Sequence, residues 1–224
     1  MLTLLEVFHW SQLLQPQFYI EHGGLWLILF VVFAETGLFA GFFLPGDSLL
    51  FVAGIYAGPL AAEVVPSNNE WINLIVITAF ISVAGILGNY VGYSFGKKVG
   101  PTMFDWKENI FFKKKYLIQA QEFYVKHGGR AIIIARFIPI VRTFAPIVAG
   151  IVNMDKPKFM YNNIVGSIVW VTSMVFGGHF LQTWILEHFQ FDLKKHLEVI
   201  VLGIVFITTA PVIFKVITHR SKKA

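Results

Sequence analysis

The basic residues of this chain are confined to one part of the sequence, and this limits what the chain can fold into. All 18 lysines and arginines lie at or after Lys97, although long apolar stretches run through the whole chain. Only 14% of the residues are charged, whereas an ordinary soluble domain has about 25%. Because basic loops of membrane proteins stay in the cytoplasm, the split indicates membrane topology rather than binding to nucleic acid. The sequence therefore predicts an all-α, multi-pass membrane protein.

Three apolar segments are long enough to cross a bilayer, which takes about 20 apolar residues. They are predicted over 71–96, 159–181 and 197–217. The amphipathic segment 1–24 is expected to lie at the membrane interface. The basic tail 218–224 is expected in the cytoplasm, which places the C-terminus inside and the N-terminus outside.

Two further apolar segments, 25–62 and 131–152, are broken by proline and glycine, at Pro45-Gly46 and at Pro139. Irregular backbone at membrane depth is tolerated only where protein or a water-filled cavity satisfies it. We expect two re-entrant helical hairpins that enter from opposite faces. The membrane domain then extends over 25–217.

The two hairpins resemble each other in sequence. Each is preceded by His-Gly-Gly, at His22–Gly24 and His127–Gly129, and each contains Val-Ala-Gly-Ile, at Val52–Ile55 and Val148–Ile151. With hairpins of opposite direction this is an inverted-topology repeat, a pattern of transporters with broken helices near the midplane.

The predicted span 71–96 leads into a basic belt at 97–130, where lysines alternate with aromatic residues. Directly after a membrane span, this composition favours an amphipathic segment on anionic headgroups. Gly88, Gly92, Gly96 and Gly100 recur every fourth residue, which allows close helix contact. Such a ladder permits a homodimer without requiring one.

Four ionisable residues lie inside the interrupted apolar segments: Glu35, Asp47, Arg136 and Arg142. A single charge at the bilayer centre costs at least about 2.5–3.5 kcal/mol, so these residues need partners. Two interpretations stay open. The four form a buried charge cluster that only locks the hairpins together, or they form a site in which the arginines bind an anion.

No pattern of an enzyme is evident. The chain has no cysteine, and it contains neither a Ser-x-x-Lys nor a His-Glu-x-x-His motif. We expect no catalytic residue, no cofactor and no metal site. An ion channel would favour rings of one charge sign over this balanced set.

Five segments together are similar to the DedA family, whose domain is also called SNARE-associated or VTT, and the likeness extends over roughly residues 20–180. They are Phe33–Leu38, Phe43–Gly54, Gly88–Lys97, Lys126–Gly129 and Ala135–Pro146. The resemblance implies a bacterial inner-membrane protein with opposed re-entrant hairpins that moves lipids between leaflets. Members return undecaprenyl phosphate to the cytoplasmic leaflet, others are linked to phosphatidylethanolamine, and eukaryotic relatives scramble phospholipids.

The resemblance places the family's required acids and arginines on Glu35, Asp47, Arg136 and Arg142. We therefore expect a flippase for a phosphate-bearing lipid, with undecaprenyl phosphate the first choice. The arginines are expected to bind phosphate and the acids to gate it, through protonation. Secondary candidates for the site are Ser48, Asn89, Tyr90 and Thr143. The family often has Asp where this chain has Asn89, which weakens a proton-relay role there.

Three other functions stay open on the sequence. One is a phosphatidylethanolamine flippase or a non-selective phospholipid scramblase. Another is a proton-coupled solute or ion transporter in which lipid is structural. The third is a protein that supports membrane assembly without transport.

Overall fold

The computed structural model describes residues 16–38, 46–105, 118, 122–124, 126–190 and 193. Most of the predicted N-terminal segment 1–24, the predicted span 197–217 and the tail 218–224 lie outside these ranges. Every regular element among the described residues is helical, as the sequence predicts.

Seven helices are described in chain order. They are α1 (Pro16–Gly37), α2 (Gly46–Ile55), α3 (Ala57–Ala62), α4 (Glu70–Asp105), α5 (Arg130–Ala135), α6 (Pro139–Ile151) and α7 (Lys156–Phe189). Two of them, α4 and α7, are long and apolar enough to cross a membrane. At 1.5 Å per residue α4 is about 54 Å long, well beyond the roughly 30 Å hydrocarbon core.

The predicted spans 71–96 and 159–181 fall inside α4 and α7, and both helices extend beyond them. Residues 182–189 continue α7 because they keep apolar side chains between their polar ones and contain neither glycine nor proline. The interrupted segment 131–152 forms α5 and α6, which pack against each other across a short turn. Helix α6 begins at Pro139, in the first turn where proline is favoured.

The described residues divide into two compact units. The first contains 16–28, 46–77 and 174–193, and the second contains 29–38 and 78–173. Helices α1, α4 and α7 contribute residues to both units.

The first unit packs α2 against the last part of α7. Val52 and Ile55 of α2 form a buried apolar cluster with Leu193. Gly54 lies against the backbone of Val175, and Gly178 lies against the backbone of Phe51. Glycine is needed at both contacts because a Cβ atom would collide with main-chain atoms.

The second unit has its own core around Tyr93 and Phe159. The two rings stack with their centroids 4.3 Å apart, and Ile132 and Ala149 complete the cluster. Tyr93 also donates a hydrogen bond to the carbonyl of Met154.

The glycine ladder of α4 is used inside the second unit. Gly88 lies against Thr36 of α1, while Gly96 and Gly100 lie against the main chain of Ile147 and Ile151 in α6. The prediction that the ladder brings helices into close contact is confirmed, and the contacts are within one chain. A homodimer through this face stays a prediction.

The two sequence repeats have similar local structures. The Val-Ala-Gly-Ile motifs end α2 at Ile55 and α6 at Ile151. The His-Gly-Gly motifs differ, because the glycine with positive φ is the third residue in the first motif (Gly24, 51°) and the second residue in the other (Gly128, 59°). The local similarity is therefore at the helix ends, and the re-entrant direction of the hairpins stays a prediction.

The described basic residues of the 97–130 belt are exposed. They are Lys97, Lys98, Lys126 and Arg130. Tyr124, from the same belt, turns inward and donates a hydrogen bond of 2.9 Å to the carbonyl of Ala145. Burial raises the pKa of the Tyr124 phenol above its usual value, so the group stays a donor across the physiological range.

Candidate functional site

An ion pair between α1 and α6 lies in the second unit. Glu35 is close to the end of α1, and Arg142 lies in the first turns of α6. Arg142 donates from Nη2 to Oε1 of Glu35, and the two side chains are only 8% and 3% exposed. Burial removes both charges from water, and each compensates the other. The structure therefore identifies a partner for Glu35 and for Arg142, which the sequence leaves open.

Arg136 follows α5 directly and is 4% exposed. Its Nη2 donates a hydrogen bond of 2.7 Å to the amide oxygen of Asn163 in α7. Gly166, one turn further along α7, leaves the space in which the Arg136 side chain lies. Arg136 thus reaches α7 through a neutral acceptor, and no ion pair to it is found in the part of the chain that the structure describes.

Asn89 of α4 is the second amide beside Arg136. A guanidinium group has only donors, so the amide oxygen of Asn89 must face it. In this orientation Asn89 accepts from Nη2 of Arg136, and its amide nitrogen lies 3.3 Å from the carbonyl oxygen of Thr36. Asn89, a secondary candidate from the sequence, is therefore part of the site, and its role is to accept a hydrogen bond.

Trp170 of α7 makes a cation–π contact with each of the two arginines. Its ring is 1% exposed, and the guanidinium carbons of Arg142 and Arg136 lie 4.9 and 5.7 Å from its centroid. A desolvated arginine over a tryptophan face is stabilised by the ring quadrupole, by about 2 kcal/mol. The indole therefore keeps two positive groups side by side in a buried place.

Sequence reasoning missed Asn163 and Trp170 as site residues. Asn163 is fully buried and anchored by its amide nitrogen, which donates to the carbonyl of Ile86 at 3.1 Å. The available signal was an uncharged polar side chain in the apolar helix α7, since such a group needs a partner when buried. Nothing in the sequence shows that its partner is Arg136.

The cluster brings two guanidinium groups together. Arg142 contacts the Glu35 carboxylate, Arg136 contacts the amide oxygens of Asn163 and Asn89, and both arginines contact the Trp170 ring. Near the start of α6, Arg142 also lies at the positive end of the helix dipole. Such a place is chemically suited to an oxyanion, which arginine binds through two parallel hydrogen bonds.

The other predicted residues lie elsewhere or at the edge of this cluster. Asp47 and Ser48 are in the first turn of α2 and belong to the first unit, so a shared site of all four ionisable residues stays a prediction. Thr143 follows Arg142 in α6 and is half-buried. Tyr90 accepts a hydrogen bond of 2.9 Å from Nζ of Lys156 at its phenol oxygen.

Within the described ranges no three His, Asp or Glu side chains lie close enough together to hold a metal ion. The site described above contains two arginines, the Glu35 carboxylate, two amides and the Trp170 ring, and the described part of the chain is helical with two helices of spanning length.

Comparison of the sequence with those of known proteins assigns the chain to a family. The sequence profile of the VTT domain matches residues 44–180, a span that includes α2 and runs into α7. The chain belongs to the DedA family of membrane proteins.

Relatives from two bacterial groups show how far the similarity extends. Protein DedA of Escherichia coli K12 is 37% identical over 204 residues, which cover 90% of this chain and 87% of that protein. An uncharacterized membrane protein of Mycobacterium leprae is 34% identical, with 88% and 84% covered. Inner membrane protein YqjA of E. coli K12 is 33% identical, with 71% and 68% covered. No solved structure matches the chain significantly.

Proposed function

We propose that this protein is a lipid translocase of the bacterial inner membrane that moves a phosphate-bearing lipid, undecaprenyl phosphate first of all, between leaflets. The observation that carries the proposal is the buried cluster in which Arg136 and Arg142 share the face of Trp170 and the described hydrogen-bond acceptors of Arg136 are amide oxygens. The protein acts as a transporter, without an enzymatic step or a cofactor. Segments 25–62 and 131–152 are its re-entrant hairpins, with the C-terminus in the cytoplasm.

Arg136 is the primary phosphate ligand in this proposal. Among the described residues its hydrogen-bond acceptors are the amide oxygens of Asn163 and Asn89, and these neutral groups leave it with an affinity for an anion. A lipid phosphate supplies the missing negative charge and accepts two parallel hydrogen bonds. Lysine, by contrast, presents a single point charge, so a site made of lysines would bind a small anion without the fixed, planar geometry of a guanidinium group.

Glu35 acts as the gate. It occupies Arg142 in the structure and competes with an incoming phosphate for that guanidinium. A proton on Glu35 removes the competing charge and frees Arg142 for the lipid. Asp47, in the first turn of α2, is the second proton-exchanging group of the proposal. One charge moved across 100 mV is worth about 2.3 kcal/mol, enough to drive such an exchange.

The names of the relatives support a membrane role and leave the lipid open. A phosphatidylethanolamine flippase or a scramblase would use the same arginines for the phosphodiester. A proton-coupled solute or ion transporter would use Glu35 and the arginines without moving lipid. These functions are distinguished by the molecule that crosses the membrane, which is a particular lipid, any phospholipid, or a solute or ion.

The test is leaflet exchange in liposomes, measured with a fluorescent polyprenyl phosphate beside a phosphatidylethanolamine analogue. Arg136→Lys is compared with Arg130→Lys, the same change at an exposed residue. We expect Arg136→Lys to slow polyprenyl phosphate exchange at least about tenfold, because lysine loses the bidentate geometry. The Arg130→Lys control should behave as wild type.

Equal exchange of both lipids would instead make the protein a scramblase. Absence of lipid exchange, with or without a proton gradient, would overturn the proposal and favour solute or ion transport. Unchanged exchange in a folded Arg136→Lys variant would remove Arg136 from the site.

A further inference from the structure

Gly85 of α4 leaves a gap beside the arginine cluster. A Cβ atom at this position would lie 3.9 Å from Val32 and 4.0 Å from both Nη1 of Arg136 and the ring of Trp170. These are ordinary van der Waals distances, so a methyl group would fit here, whereas a Cβ atom at Gly88 would collide with its neighbours. Packing of the helices therefore does not require glycine at position 85. The gap has room for about one water molecule, and a guanidinium group borders it.

Two hydroxyl side chains lie on the same face of α4 as this gap. Thr78, Ser82 and Gly85 follow one another at intervals of four and three residues, and such intervals place residues on one face of a helix. At 1.5 Å per residue, Ser82 is about 4.5 Å from Gly85 along the helix axis, and Thr78 is about 6 Å beyond Ser82. The face turned away from them is apolar and exposed, and it carries Ile75, Val83, Leu87 and Val91. The two hydroxyls therefore lie on the side of α4 that packs against protein.

Neither hydroxyl has a hydrogen-bond partner among the described residues. Oγ of Ser82 and Oγ1 of Thr78 are buried, and the Ser82 side chain is 4% exposed. Serine and threonine in helices commonly donate to a carbonyl three or four residues earlier. In the second unit this bond is made by Thr36, Ser94, Ser167 and Ser173. Ser82 and Thr78 do not make it, so their hydroxyls are available to a ligand on the face that they share with Gly85.

Arg136 adds a third polar atom of this kind. Its Nε is buried and has no acceptor in the described part of the chain, and its Nη1 lies at the gap. Buried polar groups nearly always have a hydrogen-bond partner. A guanidinium group only donates, whereas a hydroxyl both donates and accepts. A ligand that satisfies both kinds of group has to accept and to donate hydrogen bonds, and it has to be no larger than a methyl group.

We propose that water binds in the gap at Gly85 and beside Ser82 and Thr78, as a short row that hydrates Arg136. Water accepts hydrogen bonds from the guanidinium group and exchanges them in both directions with the hydroxyls. Two hydrogen bonds of about 2.8 Å through one water molecule bridge up to about 5.6 Å, which is close to the spacing of the three positions along α4. An ammonium group cannot accept from Arg136, and an apolar lipid tail satisfies none of these atoms.

The row of water has one consequence for the proposed transport. A phosphate that accepts two hydrogen bonds from Arg136 takes the place of the water next to Nη1, and this step rests on the proposed function. The binding of water itself does not rest on it, because it follows from the gap at Gly85 and the two hydroxyls. One can therefore fail without the other.

X-ray footprinting of the purified full chain tests the row of water without any substitution. Brief X-ray exposure turns water into hydroxyl radicals, which oxidise the side chains beside it, and mass spectrometry locates the products. Trp170 borders the gap, whereas Tyr93 is equally buried, at 1% exposed, but is stacked on Phe159. We expect Trp170 to be oxidised at least about tenfold faster than Tyr93, because a buried ring is oxidised only where bound water touches it.

A second test uses the absence of cysteine from the chain. Ser82→Cys and Thr78→Cys each introduce a single thiol, whose proton Ag⁺ displaces only where water carries the ion to it. The control is Ala84→Cys, at a buried apolar position of the same helix. We expect both hydroxyl positions to react with Ag⁺ at least about tenfold faster than Ala84→Cys, because bound water reaches only the former. Unreacted thiols are counted with a maleimide after unfolding, and melting temperatures show which variants are folded.

Equal oxidation of Trp170 and Tyr93 would overturn the proposal, and so would a folded Ser82→Cys variant that reacts as slowly as Ala84→Cys. Added polyprenyl phosphate separates this result from the proposed function. The lipid should protect Trp170 from oxidation and leave the reaction of Thr78→Cys with Ag⁺ unchanged. Oxidation of Trp170 that the lipid does not slow would contradict a phosphate site at Arg136 and leave the row of water standing.

Discussion

Arg142 and Glu35 are 107 positions apart in the sequence, and they form an ion pair in which both side chains are more than nine-tenths buried. The pair joins α6 to α1 inside the second unit. Next to it, the acceptors of Arg136 among the described residues are amide oxygens. One arginine of the site thus contacts a carboxylate, and the other contacts neutral acceptors in the described part of the chain.

Removal of one partner of the ion pair should lower the free energy of unfolding much more than removal of both. Glu35→Gln removes the carboxylate that the buried Arg142 contacts, and we expect a loss of about 3–5 kcal/mol. The double variant Glu35→Gln with Arg142→Met should recover a large part of this loss, since a buried pair replaced by apolar groups is often close to neutral. Thermal melting of the single and double variants measures the difference. Additive losses would show that the two charges do not interact.

A carboxylate in place of Asn163 should block the phosphate site. In Asn163→Asp the new charge takes the position of an oxygen 2.7 Å from Nη2 of Arg136 and compensates it. We expect the affinity for polyprenyl phosphate to fall at least about tenfold, as the lipid must now displace a charged hydrogen bond. Binding is measured by native mass spectrometry.

The matched control for that change is the neighbouring residue. Asn162→Asp adds the same charge, but the Asn162 amide donates to the carbonyl of Lys158 on its own helix, away from Arg136 in the hydrogen-bond network described above. Its affinity for polyprenyl phosphate should stay close to that of wild type. Equal losses in both variants would point to a general electrostatic effect instead of a site at Arg136.

The close approach of α4 and α6 should depend on glycine at position 96. A Cβ atom there would collide with the main chain of Ile147, whereas a Cβ atom at Gly177 of α7 meets nothing within 4 Å. We expect Gly96→Ala to destabilise the protein by about 1–3 kcal/mol through forced backbone shifts. Gly177→Ala should be neutral or stabilising by up to about 1 kcal/mol. Thermal melting in one detergent compares the two, and a reversed order would contradict the packing described here.

The kink in α1 should be sensitive to substitution for two reasons. Gly24 has φ 51° and ψ −140°, a backbone conformation that L-residues strongly disfavour, and a Cβ atom would also strike the carboxylate of Glu63. That carboxylate accepts hydrogen bonds from the amide of Leu25 at 3.1 and 3.2 Å, so it caps the helix after the kink.

Gly24→Ala should therefore lower the melting temperature more than Gly128→Ala. Gly128 also has positive φ, 59°, but a Cβ atom there has open space. We expect a cost of about 1–2 kcal/mol at Gly128 from the backbone alone, and a larger one at Gly24. Similar melting temperatures for the two variants would mean that the Glu63 contact contributes nothing.

The helices and their breaks follow closely from the sequence. The long apolar segments that become α4 and α7 have the length and composition of membrane spans, and Pro139 begins α6 where the apolar segment 131–152 is interrupted. These features are local, because helix formation depends on neighbouring residues and proline acts on its own turn. The repeat of Val-Ala-Gly-Ile is equally local, and it ends a helix both times.

The sequence by itself determined that Glu35, Arg136 and Arg142 need partners, because ionisable residues in apolar segments are too costly alone. Only the tertiary structure decided that Glu35 pairs with Arg142, and that Arg136 contacts Asn163 and Trp170. The physical reason is that these contacts join residues far apart in the chain. They depend on how closely α4, α6 and α1 approach through Gly88 and Gly96, and a distance between helices has no periodic signature in the sequence.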